Sequence, residues 1–504
     1  MRTAGILLPI FSLPGDFGIG GISRDAYQFV DFLHEAGQGV WQVLPIGPTG
    51  FKDSPYQPVS AFAGNPLLIS LKDLIDEGLL SWDEVNEHSF GDNEDRVDYS
   101  AVCKAHPALL RTACTHFVEQ GGRQQGEYTG FVKKAASWLP DYAMYMALKD
   151  MHDGKSWDQW DDAYRVRNRE AIAKAEISLE NAIAYYYFEQ FVFHKQWSAL
   201  KKYAASRNVH ILGDVPFYVA YDSADVWAHP EVFKLDADFK PIVIAGCPPD
   251  AFSTTGQRWG NPVYDWKAMK KDEYDWWMQR LRRNFDWFDM LRIDHFHGFA
   301  EYYEIPYREE TAENGIMMRG PGMDFIGRVR EHYGTERIIA EDLGTQTAVN
   351  EKLLKESGFP GMRVLQYGFT SWESIYLTHR HEKNSVVYTG THDNTTARAW
   401  VESISDGERE FARAYLNSVH TDYGQFTWDF IREAYRSVAD LAIVPIQDYL
   451  VLNADTRINN PGTDSGNWSV RIRPGSFSGA LCASIRRLSE IYGRIPKDKQ
   501  TSAT

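Results

Sequence analysis

Four short apolar runs in this chain end in a carboxylate: Asp214 in ILGDVPFYV, Asp294 in LRIDHFHG, Glu341 in RIIAEDLG and Asp393 in SVVYTGTHDN. A single such residue is commonly a cap for the following turn or helix. Four of them, each closing a separate run, point to chemistry. Two neighbouring carboxyl groups can break a glycosidic bond: one, ionised, attacks the anomeric carbon while the other, protonated, donates to the leaving oxygen. In a retaining enzyme the pair stands about 5–5.5 Å apart, a gap that strands spaced at about 4.8 Å can supply. Asp294 and Glu341 end consecutive runs and meet that requirement.

Their neighbours sort the roles. Arg292 precedes Asp294 by two residues, so on a strand both point to one face, and a guanidinium beside a carboxylate favours the ionised form. That suits a nucleophile. Glu341 has no basic residue in its own run, so desolvation can raise its pKa, as a general acid needs. Asp393 is placed on the far side of the sugar, binding ring hydroxyls and steadying oxocarbenium charge. The pair His295 and His297 allows a rival reading, since HxH at a strand end can begin a metal site that His392, Asp393 and Asp214 would complete. Against it, no HExxH motif or cysteine ligand set is present. His295 and His392 are read as donors to substrate hydroxyls and His297 as a packed histidine, with no metal and no cofactor expected.

Such side chains need a scaffold that delivers strand ends to one place. Eight apolar, β-branched runs qualify as strands: residues 40–46, 66–71, 209–219, 288–296, 337–344, 362–369, 385–394 and 441–450. Unbroken hydrophobicity over so few residues suits parallel strands covered on both faces. Helical patterns such as SRDAYQFVDFLHEAG and DEYDWWMQRLRRNFDWF lie between many of them. The alternation predicts an α/β fold, a (β/α)8 barrel of the TIM type with its chemistry at the carboxyl ends of the strands. Residues 72–205 read as a mainly helical insertion and 220–285 as a second insertion, containing a loop at 246–262. With no repeat or flexible linker, residues 1–504 are expected to form one catalytic unit without a separate C-terminal β-domain.

Bulk properties narrow the partners. The formal charge of −16 over 504 residues, with no long basic run, argues against nucleic acid and anionic membranes. Four cysteines without CxxC spacing fit a reducing compartment. The opening MRTAGILLPIFSLPG reads as a strand or loop of the fold rather than a signal peptide, and no run reaches the ~20 apolar residues of a membrane helix. A cytoplasmic protein is expected. Aromatic residues are abundant, with 16 Trp, 27 Tyr and 27 Phe, and several sit in turn-like sequence where they could stack on sugar rings.

The motifs WQVLPIGPTGFKDSPYQPVSAFAGNPLLISL, GDVPFYV, PPDAFSTTGQRWGNPVYDW, LRIDHFHG, IAEDLG, GTHDN and NNPGTDSGNW follow one another between residues 41 and 468. In this the chain closely resembles the 4-α-glucanotransferases of the amylomaltase or disproportionating-enzyme type, glycoside hydrolase family 77. The resemblance implies transfer of segments of α-1,4-glucans or maltooligosaccharides, with Asp294 as nucleophile, Glu341 as acid/base and Asp393 as transition-state stabiliser. It also implies that Tyr56, Asp214, Asp250, Trp259, Arg292, His295, His392, Asn467 and Trp468 surround the substrate, Asp250 and Trp259 on a loop that folds over the site. Cys247 stands where that family would have Ala or Val.

Overall fold

A computed structural model describes residues 2–249, 253–344, 346–463 and 465–496. The chain opens with β1 (Thr3–Leu7), β2 (Val40–Gln42) and β3 (His210–Val215), followed by β4 (Val243–Cys247) and β5 (Gln257–Pro262). Next come β6 (Met290–Ile293), β7 (Glu301–Pro306) and β8 (Ile316–Arg319). The last third supplies β9 (Ile338–Ala340), β10 (Gly361–Val364), β11 (Ser385–Tyr388) and β12 (Leu441–Pro445).

Eight of these close a barrel in the order β1-β12-β11-β10-β9-β6-β3-β2, and every pairing within it is parallel. The strands are three to six residues long and almost wholly buried, as expected for a sheet covered by helices. The predicted (β/α)8 architecture is therefore the one observed. After Pro445 the described residues form helices and loops and contribute no further strand element.

One strand assignment is corrected. Residues 66–71 are a single 3-10 turn, Pro66–Leu68, leading into a helix, Leu71–Asp76. Pro66 has no N–H to give a ladder, the Asn65 side chain accepts from the Leu67 amide, and Ser70 caps the helix. The run is apolar because Leu67, Leu68, Ile69 and Leu71 are all buried, not because they are extended. The missing barrel strand is β1, in the opening TAGIL. Gly5 is required there: a Cβ would lie 2.5 Å from the Val40 carbonyl oxygen on β2. β1 also pairs with β12 over its full length, Thr3 with Leu441 through Leu7 with Pro445.

Between β2 and β3 the chain builds a cap of helices. The longest, Glu180–Ser206, packs on Leu139–Met151 and on the barrel helix Arg24–Glu35. Trp197 Nε1 donates to the Trp287 carbonyl at 3.0 Å, tying the cap to the barrel wall. A feature absent from the sequence expectations is a separate antiparallel sheet in the order β5-β4-β7-β8. Its strands come from both sides of β6, so it stands beside the end of that strand. No helix among the described residues is long and apolar enough to cross a membrane.

Candidate active site

Asp214 and Arg292 are register partners on β3 and β6. Arg292 Nη1 lies 2.7 Å from each oxygen of Asp214 and 3.0 Å from Asp294 Oδ1. Both Arg292 and Asp214 are buried, and a buried guanidinium is tolerated only when paired in this way. Burial works against the Arg292 charge, but Asp214 and Asp294 outweigh it and hold the group firmly protonated. Tyr56 OH donates to Asp214 Oδ2 at 3.0 Å. Asp214 is thus consumed in fixing Arg292 and Tyr56 beneath the cleft, while Asp294 keeps part of its carboxylate open.

The chain turns sharply after Asp294. His295 has φ +47° and ψ +46°, a left-handed conformation that costs a side-chain-bearing residue about 1 kcal/mol or more. The turn delivers two amides to the end of β9: His295 N donates to Glu341 Oε2 at 2.7 Å, and Phe296 N donates to the Glu341 carbonyl at 3.1 Å. Glu341 N in turn donates to the Ile293 carbonyl at 3.1 Å, extending the β6–β9 ladder by one step. The two carboxyl groups therefore share one mouth, Glu341 being bonded to the residue that follows Asp294.

Glu341 sits deep in this mouth with part of its surface facing the cleft. Burial pushes its carboxyl up to about 8; Arg292 opposes this, Asp294 adds to it, and the amides of Leu343 and His295 pull down. At neutral pH the group keeps its proton. His295 is pushed down to about 4, chiefly by burial, so it meets a ligand as neutral imidazole. Its ring lies between Phe217 and Trp259, with Trp259 edge-on at 5.1 Å. Trp259 comes from β5, so the antiparallel sheet is the element that brings an aromatic ring over the site.

Asp393 lies beyond the end of β11, in a loop pinned by its neighbours. Asn459 Nδ2 donates to Asp393 Oδ1 at 2.6 Å, Arg457 donates to the Asp393 carbonyl, and His392 Nε2 lies 3.4 Å from Oδ2. The His392 ring stacks on Tyr56 at 5.2 Å, and Tyr56 packs on Trp468 at 5.6 Å. Trp468 is buried, with its carbonyl accepting from Tyr99 OH at 2.8 Å. It backs Tyr56 and His392 instead of offering an open face.

Of the residues singled out in the sequence, Tyr56, Asp214, Trp259, Arg292, Asp294, His295, Glu341, His392, Asp393 and Trp468 are brought to one mouth. Asn467, next to Trp468, accepts from Asn460 N and donates to Thr463. Asp250 lies outside the described residues. The residues that sequence reasoning passed over are Asn459 and Arg457. Asn459 stands at the head of NNPGTDSGNW, the motif whose far end had drawn attention. Among the described residues no group of three or more His, Cys, Asp and Glu is disposed to hold a metal ion.

Similarity to known proteins runs along nearly the whole chain. The family model for 4-alpha-glucanotransferases, glycoside hydrolase family 77, matches residues 8–476. A 4-alpha-glucanotransferase of Clostridium butyricum is 43% identical over 488 residues, covering 96% of this chain and 99% of the relative. One from Streptococcus pneumoniae is 43% identical over 497 residues and covers 98% of each. The amylomaltase of Streptococcus agalactiae, solved in complex with acarbose, superposes with a TM-score of 0.95 at 39% identity. That match covers 98% of this chain and 100% of the other.

Proposed function

We infer the reaction from one premise: this chain belongs to the 4-alpha-glucanotransferase family, glycoside hydrolase family 77. It transfers segments of α-glucan from a donor chain to an acceptor. In our reading Asp294 attacks the anomeric carbon of the donor while Glu341 gives its proton to the departing glycosidic oxygen. A covalent glycosyl ester on Asp294 results, and the shortened chain leaves with its new hydroxyl. The 4-hydroxyl of an acceptor glucan or glucose then loses its proton to Glu341, now ionised, and displaces Asp294. Two inversions retain the α configuration.

The remaining groups serve these steps. Arg292 positions the Asp294 carboxylate and is itself fixed by Asp214. Asp393, held by Asn459, faces the ring that bears oxocarbenium charge. Neutral His295, together with His392, bonds to sugar hydroxyls, with Tyr56 and Trp259 packing against the rings. Maltooligosaccharides are the proposed substrates, supported by the acarbose complex of the Streptococcus agalactiae relative. The proposed setting is the cytoplasm, consistent with cysteines that form no disulfide among the described residues.

The observation that carries this reading is the carboxyl pair at the ends of β6 and β9, Asp294 against Arg292 and Glu341 bonded to the His295 amide, with burial raising the Glu341 carboxyl. Incubation with maltotriose tests it. Glucose together with a ladder of longer maltooligosaccharides is expected; glucose and maltose alone would make the chain a hydrolase, and unchanged maltotriose would remove the reading.

A further inference from the structure

Sixteen tryptophans are present, and nearly all are buried or half-buried; Trp372 is 78% exposed. A solitary exposed hydrophobic residue needs no explanation. Trp372 is not solitary. Tyr367 and Ile375, at 41% and 42% exposed, flank it on the same short segment, with Tyr376 half-buried beside them.

This segment follows β10, the barrel strand that lies between β9, which leads to Glu341, and β11, which leads to Asp393. It is continuous with the site. Asn394, the residue after Asp393, donates to Tyr367 OH at 3.1 Å, and Tyr376 packs edge-on to Tyr367 at 5.4 Å. The segment is also well braced. Ser374 N donates to the Ser371 carbonyl at 3.1 Å, Glu373 N donates to Ser371 Oγ at 3.1 Å, and Ser374 Oγ reaches the Tyr367 carbonyl at 3.2 Å. Phe369 and Leu377 at its base are buried in a core shared with Trp400 and Phe430. A rigid turn that keeps an indole in water loses little further entropy when a flat apolar surface covers that ring.

We propose that residues 367–376 form an outer sugar platform, on which Trp372 stacks against a glucose unit of an α-1,4-glucan some units away from the bond being exchanged. The occupant is the substrate's own chain: Tyr367, bonded to Asn394 beside Asp393, and Tyr376 packed on it join the exposed Trp372 to the loop that carries Asp393. This inference rests on the glucanotransferase reading of the site. Its consequence is a preference for longer chains that the central residues alone would not produce.

The test compares wild type, Trp372→Ala and Trp372→Phe on maltotriose and maltoheptaose. Trp372→Ala is expected to raise KM for maltoheptaose by about five- to tenfold, the scale of one lost ring contact. Its kcat and its KM for maltotriose should stay within about twofold of wild type, and Trp372→Phe should retain most of the long-chain affinity. A Trp372→Ala enzyme equal to wild type on maltoheptaose overturns the platform, as does an equal loss on both substrates, which would mark a structural role. Wild-type turnover of maltotriose separates the two readings: a wild type inactive on every glucan removes the reaction and the platform with it, whereas an active wild type with a silent Trp372→Ala removes the platform alone.

Discussion

Replacing Glu341 by glutamine changes a proton and almost nothing else in shape, so its effect on stability can be worked out as a function of pH. Unfolded, the wild-type carboxyl ionises from about 4.5; folded, it keeps its proton up to about 8. Between those values the folded state binds more protons than the unfolded state. The stability this group contributes is complete below about 4.5 and is lost as pH rises through about 8. At ~1.4 kcal/mol per pH unit the ceiling is about 5 kcal/mol. Partial opening to the cleft and sharing of the field with Arg292 and Asp294 reduce this to roughly 2 kcal/mol.

The glutamine side chain of Glu341→Gln has no such titration, but it carries a handicap of its own. Both Glu341 oxygens accept backbone amides, from His295 and Leu343, and the amide NH2 must face one of these donors at a cost of about 1–2 kcal/mol. Unfolding entropy of ~2.1 cal/mol/K per residue makes 1 kcal/mol worth about 1 °C in a chain of 504 residues. The variant should therefore melt about 1–2 °C below wild type at pH 5 and draw level or slightly above it by pH 8.5. Thermal scans at one fixed rate, across that range, read the difference directly. Two melting curves that run parallel from pH 5 to pH 8.5 would refute the argument, because Glu341 would then not be holding a proton in the fold. In catalysis the same proton gives wild-type kcat/KM an alkaline limb near pH 8, and Glu341→Gln should still form the glycosyl ester from an α-maltosyl fluoride, whose leaving group needs no acid.

Asp294→Asn should lower transfer from maltotriose by about 10⁴-fold or more while leaving glucan binding measurable by calorimetry; near-normal turnover would displace the nucleophile assignment. Arg292→Met strands the buried Asp214 carboxylate and is expected to cost about 3–5 kcal/mol, seen as a melting point lowered by about 3–5 °C. Asn459→Ala removes the side-chain donor to Asp393 and should reduce kcat about tenfold with KM within about twofold, whereas a rise in KM alone would move Asn459 from the chemistry to substrate holding.

The carboxylates at strand ends were legible because the physics that marks them is local. A carboxylate closing an apolar run is conspicuous, and the two-residue spacing of Arg292 and Asp294 places both on one face without knowledge of the rest of the chain. What escaped was set by distant partners. Residues 66–71 and 3–7 are equally apolar, and only the proline in one and the close approach of β2 to Gly5 in the other decide which is extended. The antiparallel sheet was hidden because β5 and β8 are largely exposed and lack the hydrophobic alternation by which strands are found. Asn459 and Arg457 gave no signal of their own, since an asparagine and an arginine in a polar loop look alike whether they face solvent or hold Asp393.

The seam between β1 and β12 sets the order in which this molecule can be assembled. The first barrel strand to be synthesised, β1, finds one of its two edge partners only after more than four hundred further residues have been added. Until then the nascent sheet is an open ribbon with an unsatisfied edge. Chaperone dependence should therefore be greatest for polypeptides arrested just short of Leu441, and should fall once β12 has slotted in.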